Sequence, residues 1–345
     1  MSKRRIGTTG GVVVEEVTLE SSEAAVTIMG YGASIRDWRV DGPNGTLPVV
    51  LGFPHLEDYV TYARAHGAVC GRIANRVRDG QFMLDGTPIQ LSRNHGSHHL
   101  HGGVIGLQRR VWRSEPDAQA EAVHLHYASP DKEEGYPGAV AFGLTYRLEG
   151  AKLICEMTGV PDRRTPVSLA HHAYYNLNGS GDVRDHVLQS AVTAFTPIGD
   201  DELTTGEIRP VRDTRLDYAR PRALREADPR GAGHDDNLVL DPDRDRAAPA
   251  AIAHSPSSGL WLRLWTDQPG LQVYDGAGVT LPAPGHDRVR YGSFAGLCLE
   301  AQNFPDAVNK PDWPEVIVSP DLPYFQRLEV EISRDGEFLG ADAPD

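Results

Sequence analysis

Cysteine is scarce, with only Cys70, Cys155 and Cys298 in 345 residues. An odd number scattered over the whole length is neither a disulfide framework nor a paired-cysteine metal pattern, and it suits a reducing compartment. Basic residues are outnumbered 34 to 48 by acidic ones, a net charge of −14. A field of that sign repels phosphate backbones and anionic lipid, so neither nucleic acid nor a membrane surface is an expected partner. Long apolar runs are missing as well. Nothing approaches the ~18 residues of a membrane span. The basic opening MSKRRIGTTGGVVVEEV has only Val12 to Val14 as an apolar stretch before Glu15, too short for a secretory signal. A soluble, cytoplasmic protein is expected.

Helical periodicity is also in short supply. Leu56 to Ala65 and Arg220 to Ala227 could each form a short helix. Strand–helix alternation with a phosphate-cradling glycine loop is absent, and Gly231 and Gly233 are too isolated to suggest one. No G-x-S-x-G occurs and no cysteine sits beside a base, so covalent acyl transfer has no support.

What the chain does have is alternation at the strand period of two. Val140, Phe142, Leu144, Tyr146 and Leu148 alternate with Ala141, Gly143, Thr145, Arg147 and Glu149. Val123, Leu125 and Tyr127 do the same, as do Leu328, Val330 and Ile332. Asp85-Gly86, between Phe82/Leu84 and Ile89/Leu91, is a hairpin signal. Many short strands punctuated by 36 Gly and 25 Pro read as an all-β fold, a large antiparallel β-sandwich with few short helices. The length fits two domains or one large all-β unit. With no sharp linker, a single domain over 10–338 is expected, with loosely ordered tails at 1–9 and 339–345. The Pro-, Ala- and Ser-rich stretch from Asp241 to Gly259 reads as a mobile surface loop, or else a linker.

Chemistry-bearing residues fall in islands. Four of the 14 histidines lie at His95, His98, His99 and His101, and two are adjacent at His171-His172. Clustered histidine raises a metal, but no carboxylate or cysteine stands at a familiar ligand spacing, so none is expected. His55, His66, His254 and His286 read as hydrogen-bonded structural residues. His101 precedes Gly102-Gly103, and His172 precedes Tyr174-Tyr175-Asn176. Glycine beside a side chain marks close approach of backbone and ligand, and rings beside polar groups suit a sugar. Glu300 stands opposite the face of Leu297 and Leu299, either as a solvent-facing carboxylate or as a functional one that Gln302 and Asn303 orient. Gln272 and Tyr274 share a face. Arg72 and Arg76, four apart around Asn75, read as salt-bridging residues or as donors to hydroxyls. Asp235-Asp236 reads as a turn or as a pair of hydroxyl acceptors.

In their order along the chain these islands resemble the aldose 1-epimerase (galactose mutarotase) family over nearly the full length. The resemblance runs through Leu51-Gly52-Phe53, Gly71-Arg72-Ile73-Ala74-Asn75-Arg76, Leu100-His101-Gly102-Gly103 and Glu134-Gly135-Tyr136-Pro137-Gly138. It continues through His172-Ala173-Tyr174-Tyr175-Asn176-Leu177, Pro269-Gly270-Leu271-Gln272-Val273-Tyr274 and Leu299-Glu300-Ala301-Gln302-Asn303-Phe304-Pro305-Asp306. It implies a β-sandwich with a sugar groove and a free aldose as substrate, in a monomer or homodimer. His172 then matches the general acid and Glu300 the general base. Asn75, Arg76, His101, Tyr174, Asp235 and Gln272 match positions that hold the sugar, and no cofactor is implied. Three positions depart from the pattern: His171 replaces an Asn, Ala173 a Ser or Thr, and Asp236 a His. A carboxylate near His172 is expected to raise its pKa, leaving Glu300 ionised as the base. Epimerisation of a phosphorylated hexose, and sugar binding without catalysis, are the rival expectations.

Overall fold

Alternation produces the expected sheets. In the computed structural model, which describes residues 1–63 and 65–340, the strand Val140–Glu149 buries Val140, Phe142, Leu144, Tyr146 and Leu148 and turns the intervening residues outward. It lies inside a nine-stranded antiparallel sheet between Ala122–Ser129 and Lys152–Pro161, and the latter pairs with Tyr324–Ser333. A six-stranded sheet runs in the order Tyr174–Tyr175, Leu297–Gln302, Gly270–Tyr274, Asp235–Leu240, Val192–Thr196, Arg209–Pro210. Five N-terminal strands, from Ser2–Thr9 to Gly45–Pro48, form a meander. One continuous apolar cluster joins Val26 and Trp38 of the meander, Leu144, Leu264 and Leu328 of the large sheet, and Leu271, Val273 and Leu299 of the six-stranded one. The layers therefore share a core, as sheet-on-sheet packing requires.

Asp85-Gly86 makes the expected hairpin, with Leu84 opposite Thr87. The two helices are shorter than their patterns suggest, Leu56–Thr61 and Leu224–Ala227. Leu56–Thr61 has no side-chain cap at His55 and is held by burying Leu56 and Tyr59. Among the described residues no helix is long and apolar enough to cross a membrane.

Two segments differ from expectation. Residues 1–9, expected as a loose tail, form the edge strand Ser2–Thr9, which pairs with Val12–Glu20. Its mostly exposed side chains give no apolar alternation to read, and the strand rests on backbone bonds and on contacts such as Arg4 with Glu16 at 2.5 Å. Within Asp241 to Gly259, expected as a mobile loop, Ala251–His254 is an interior strand between Val187–Ser190 and Trp261–Thr266. Pairing on both sides holds it, with Ala251, Ile252 and Ala253 buried. At the C-terminus Leu339 donates its N–H to Gln189 Oε1 at 2.8 Å, and residues 341–345 of that expected tail lie outside the described residues.

Candidate active site

Strand alternation assembles one polar surface on the six-stranded sheet. Leu297, Leu299 and Ala301 face the core, so Cys298, Glu300 and Gln302 face the other way. Register then aligns two rows across the strands. One is Tyr174, Cys298, Tyr274 and Asp235, and the other is Glu300, Gln272, Asn237 and Thr196. Gln272 Nε2 donates to Asp235 Oδ1 at 2.7 Å, tying the rows together.

His172 arrives from a different pairing, Ala170–His172 against Ala68–Cys70. Its Nε2 stands 3.7 Å from Glu300 Oε1, and both side chains are buried. Cys298 Sγ lies 3.5 Å from His172 Nδ1. Alternation sends His171 to the opposite side, edge-on to Tyr146, where neither ring nitrogen has a partner. Of the two adjacent histidines, only His172 meets Glu300. Ala173 lies in the main core, where a hydroxyl would need a partner of its own.

The remaining wall comes from two segments held in left-handed backbone. Asn75 has φ 58° and His101 φ 48°. His101 N–H donates to Asn75 O at 2.9 Å, and Asn75 N–H donates to His101 Nδ1 at 3.2 Å. With Nδ1 accepting, the ring proton sits on Nε2, free to donate to a ligand oxygen. The next turn needs Gly102, at φ 79°, where a side chain would run into the Gly71 carbonyl. His101 meets His172 edge-on with centroids 5.3 Å apart. Arg76 reaches Asp235 at 3.7 Å and Glu202 at 3.1 Å. All eight predicted site residues, Asn75, Arg76, His101, His172, Tyr174, Asp235, Gln272 and Glu300, are thus linked by these contacts.

Burial sets the electrostatics. Desolvation pushes the Glu300 carboxyl well above the usual carboxylate range; Asp235 adds to this and Arg76 opposes it. The same desolvation pulls His172 down to about 4. The expectation that a carboxylate would raise His172 and leave Glu300 ionised is therefore corrected, because both groups are driven towards their uncharged forms. His101 is also held well below its ordinary value, by burial first and then by His172 and Arg76.

Several expectations move out of the site. Arg72 is 2% exposed, and its guanidinium donates to Ser129 Oγ at 2.9 Å and to the carbonyls of Pro130 at 2.9 Å and Gly138 at 2.8 Å. It is a structural clamp and not a hydroxyl donor. Arg72→Met is expected to lower stability by at least ~1–3 kcal/mol, because buried acceptors lose their donor. Urea denaturation checks this, and the folded fraction should keep its turnover. Asn303 donates to the carbonyls of Pro314 and Glu315. Asp236 lies on the core side of its strand, paired with Arg215 at 2.6 Å. The four histidines of 95–101 do not converge. His95 contacts Glu202 at 2.6 Å, His98 Nδ1 accepts the Asp79 N–H, His99 joins Tyr136 OH at 2.6 Å, and only His101 meets His172.

Three contributors escaped sequence reasoning. His66 stacks on Tyr174 with centroids 4.1 Å apart, and Tyr174 lies against His172 at 5.0 Å. Nothing near His66 in the sequence signals this. Cys298 could have been found, two residues before Glu300 on the same strand face. Glu134 accepts the N–H groups of Val104 and Ile105, both at 3.0 Å, and the Ser92 hydroxyl. It thereby fixes the turn that carries His101. Glu134→Ala is expected to lower kcat/KM about tenfold, equivalent to ~1.4 kcal/mol. Glu134→Gln, which keeps one acceptor oxygen, should recover most of the loss in the same assay.

Comparison with known proteins agrees with this geometry. A family model described as aldose 1-epimerase matches residues 15–331. A galactose mutarotase from Sus scrofa is 36% identical over 322 residues, covering 91% of this chain and 93% of that protein. An aldose 1-epimerase from Haemophilus influenzae is 30% identical over 313 residues, covering 88% and 90%. The crystal structure of an aldose epimerase homologue from C. elegans superposes with a TM-score of 0.86 at 27% identity, covering 92% of this chain and 98% of that one.

Proposed function

The chain belongs to the aldose 1-epimerase family and is an isomerase, and from that premise we propose that it interconverts the α and β anomers of free hexoses such as glucose and galactose, with Glu300 as general base and His172 as general acid. The observation that carries this reading is the buried contact of 3.7 Å between His172 Nε2 and Glu300 Oε1, beside a wall of hydroxyl-binding groups. We place the activity in a single unit over residues 10–338 together with the edge strand Ser2–Thr9, and in the cytoplasm; the three free, buried cysteines suit a reducing compartment.

Ring opening moves two protons and no electrons. The C1 hydroxyl gives its proton to Glu300, the C1–O5 bond breaks as C1=O forms, and His172 delivers a proton to O5. Rotation about C1–C2 presents the other carbonyl face, and the same steps reverse to close the ring. His101 Nε2–H and Arg76 offer donors to sugar oxygens that gain negative charge. Asp235 and the unpartnered Gln272 Oε1 offer acceptors to hydroxyls. Tyr174 supplies an apolar ring.

Burial alone favours the uncharged arrangement, with the shared proton on Glu300. Arg76 favours moving it to His172, since its charge lowers the Glu300 pKa. The two arrangements hold the same number of protons, so they titrate as one species. The kcat/KM profile is therefore expected to be bell-shaped. Its acid limb should fall near pH 4, where His172 gains its proton, and its basic limb above the ordinary carboxylate range. Polarimetry of freshly dissolved α-D-glucose and α-D-galactose across pH checks both the activity and the limbs. No acceleration with either sugar would refute the reading. Glucose 6-phosphate is expected to be a poorer substrate, because Arg72 is committed to backbone carbonyls and the carboxylates of Glu202 and Asp235 beside Arg76 oppose a phosphate.

A further inference from the structure

The mechanism makes no use of Cys298, yet its sulfur belongs to the same cluster as the acid and the base. One donor atom from each of His172, Cys298 and Glu300 can be chosen so that all lie within 4.8 Å of one another, and all three residues are buried. Among the described residues this is the only such group of three or more metal-ligating side chains. Cys298 and Glu300 are two apart on one strand, so their spacing is fixed by the sheet, and His172 lies against both, Nδ1 towards the sulfur and Nε2 towards the carboxyl. Glu300 Oε2 is buried with no hydrogen-bond partner.

We infer that His172, Cys298 and Glu300 form a three-ligand site for a thiophilic divalent cation of the zinc class, and that its occupation blocks the sugar. Nitrogen, thiolate and carboxylate are the donor types zinc takes, at about 2.0–2.1, 2.3 and 2.0–2.2 Å. Tetrahedral coordination at those lengths separates the donors by roughly 3.3–3.6 Å; one nitrogen, the sulfur and one carboxylate oxygen of the three residues already lie within 4.8 Å of one another, so side-chain rotation of about an ångström closes the set. Three protein ligands leave a fourth position for water. Binding displaces the Cys298 thiol proton, and any proton on Glu300, to solvent, because the cation's own charge reverses the local preference for neutral groups. A cation held there occupies Glu300 and His172 together. The inhibition half of the inference rests on their acid–base role; the binding half does not.

The test uses the full chain stripped of metal with a chelator and assayed for anomer exchange first. Cobalt(II) is then added as an optical probe for zinc. One equivalent should produce a thiolate-to-cobalt charge-transfer band, galactose should suppress it, and zinc should abolish anomer exchange. Cys298→Ser should remove the band and weaken zinc binding, measured by calorimetry, by more than the ~10–100-fold that loss of an outer-shell partner costs. Glu300→Gln, which keeps the sulfur, should retain a weakened band. No saturable band in the wild type, or a band that survives Cys298→Ser, would overturn the site. A band that galactose leaves unchanged in an active enzyme would overturn the competition. A chain inactive when metal-free would refute the mutarotase reading, while the cobalt band would still test the site.

Discussion

Glu300→Gln should slow anomer exchange by ~10²–10⁴-fold, the range typical of a positioned acid or base, without unfolding the protein. The amide has nearly the shape of the carboxyl and adds no charge to a buried position. Because burial already pushes the carboxyl towards its neutral form, the folded state loses nothing by the exchange, and stability at neutral pH should hold or rise. What disappears is the capacity to take a proton from the C1 hydroxyl. His172→Gln removes the partner and should cost a similar factor. Since one proton serves both residues, the double variant is expected to lose little more than either single one, the non-additivity of groups that act as a unit. Polarimetry on the three variants beside the wild type reads all of this. If Glu300→Gln kept more than about a tenth of wild-type turnover, short of the usual contribution of a general base, the base would have to be sought elsewhere, with Asp235 next in reach.

The second large effect is on stability, and it comes from histidines that burial keeps neutral. His66 and His171 are driven down to about 3, and His172 and His186 to about 4, desolvation being the first cause in each. In the unfolded chain they titrate near 6.5. As pH falls below that value, the unfolded chain takes up a proton at each site and the native chain does not. The unfolded state then binds more protons, so stability rises with pH and is lost as pH drops towards 4. Each histidine contributes up to ~1.4 kcal/mol per pH unit in that window. The four together compare with the whole stability of a typical domain, about 5–15 kcal/mol. Glu300 acts with opposite sign, since its raised pKa lets the native state hold a proton that the unfolded chain has released. Asp235 and Asp275, also raised by burial, act with Glu300, while His101 and His99, also lowered by burial, add to the four. Urea denaturation at pH 7 and pH 5 should therefore give very different free energies. His171→Leu, which removes two unpartnered ring nitrogens, should flatten the slope by one proton and raise stability at the lower pH. A change of less than ~2 kcal/mol between the two pH values, about the share of a single histidine over the ~1.5 units from 6.5 to 5, would refute the account.

How much of this was readable beforehand differs from element to element. Val140–Glu149 and Tyr324–Ser333 alternate cleanly because each has one face on the core, and that periodicity is a property of sequence. Asp85-Gly86 declares its hairpin through turn chemistry that involves no distant residue. Ser2–Thr9 offers no such signal, because as a largely exposed edge strand it takes its order from Val12–Glu20. Ala251–His254 looks like loop until two neighbouring strands close on it. Glu133 and Glu134 look alike in sequence, yet Glu133 contacts Tyr127 OH and Arg110 while Glu134 holds the turn after His101.

By itself, then, the sequence determined the all-β architecture, the residue types of the site and their order along the chain, because alternation, turn preference and motif spacing are local. The tertiary structure decided which of two adjacent histidines meets Glu300, that Arg72 clamps a loop while Arg76 reaches Asp235 and Glu202, and that Cys298 lies beside His172 and Glu300. It also decided which way burial drives each member of the pair. Glu300 and His172 are 128 positions apart in the chain, and the desolvation that moves their pKa values in opposite directions exists only once the sheets have closed around both.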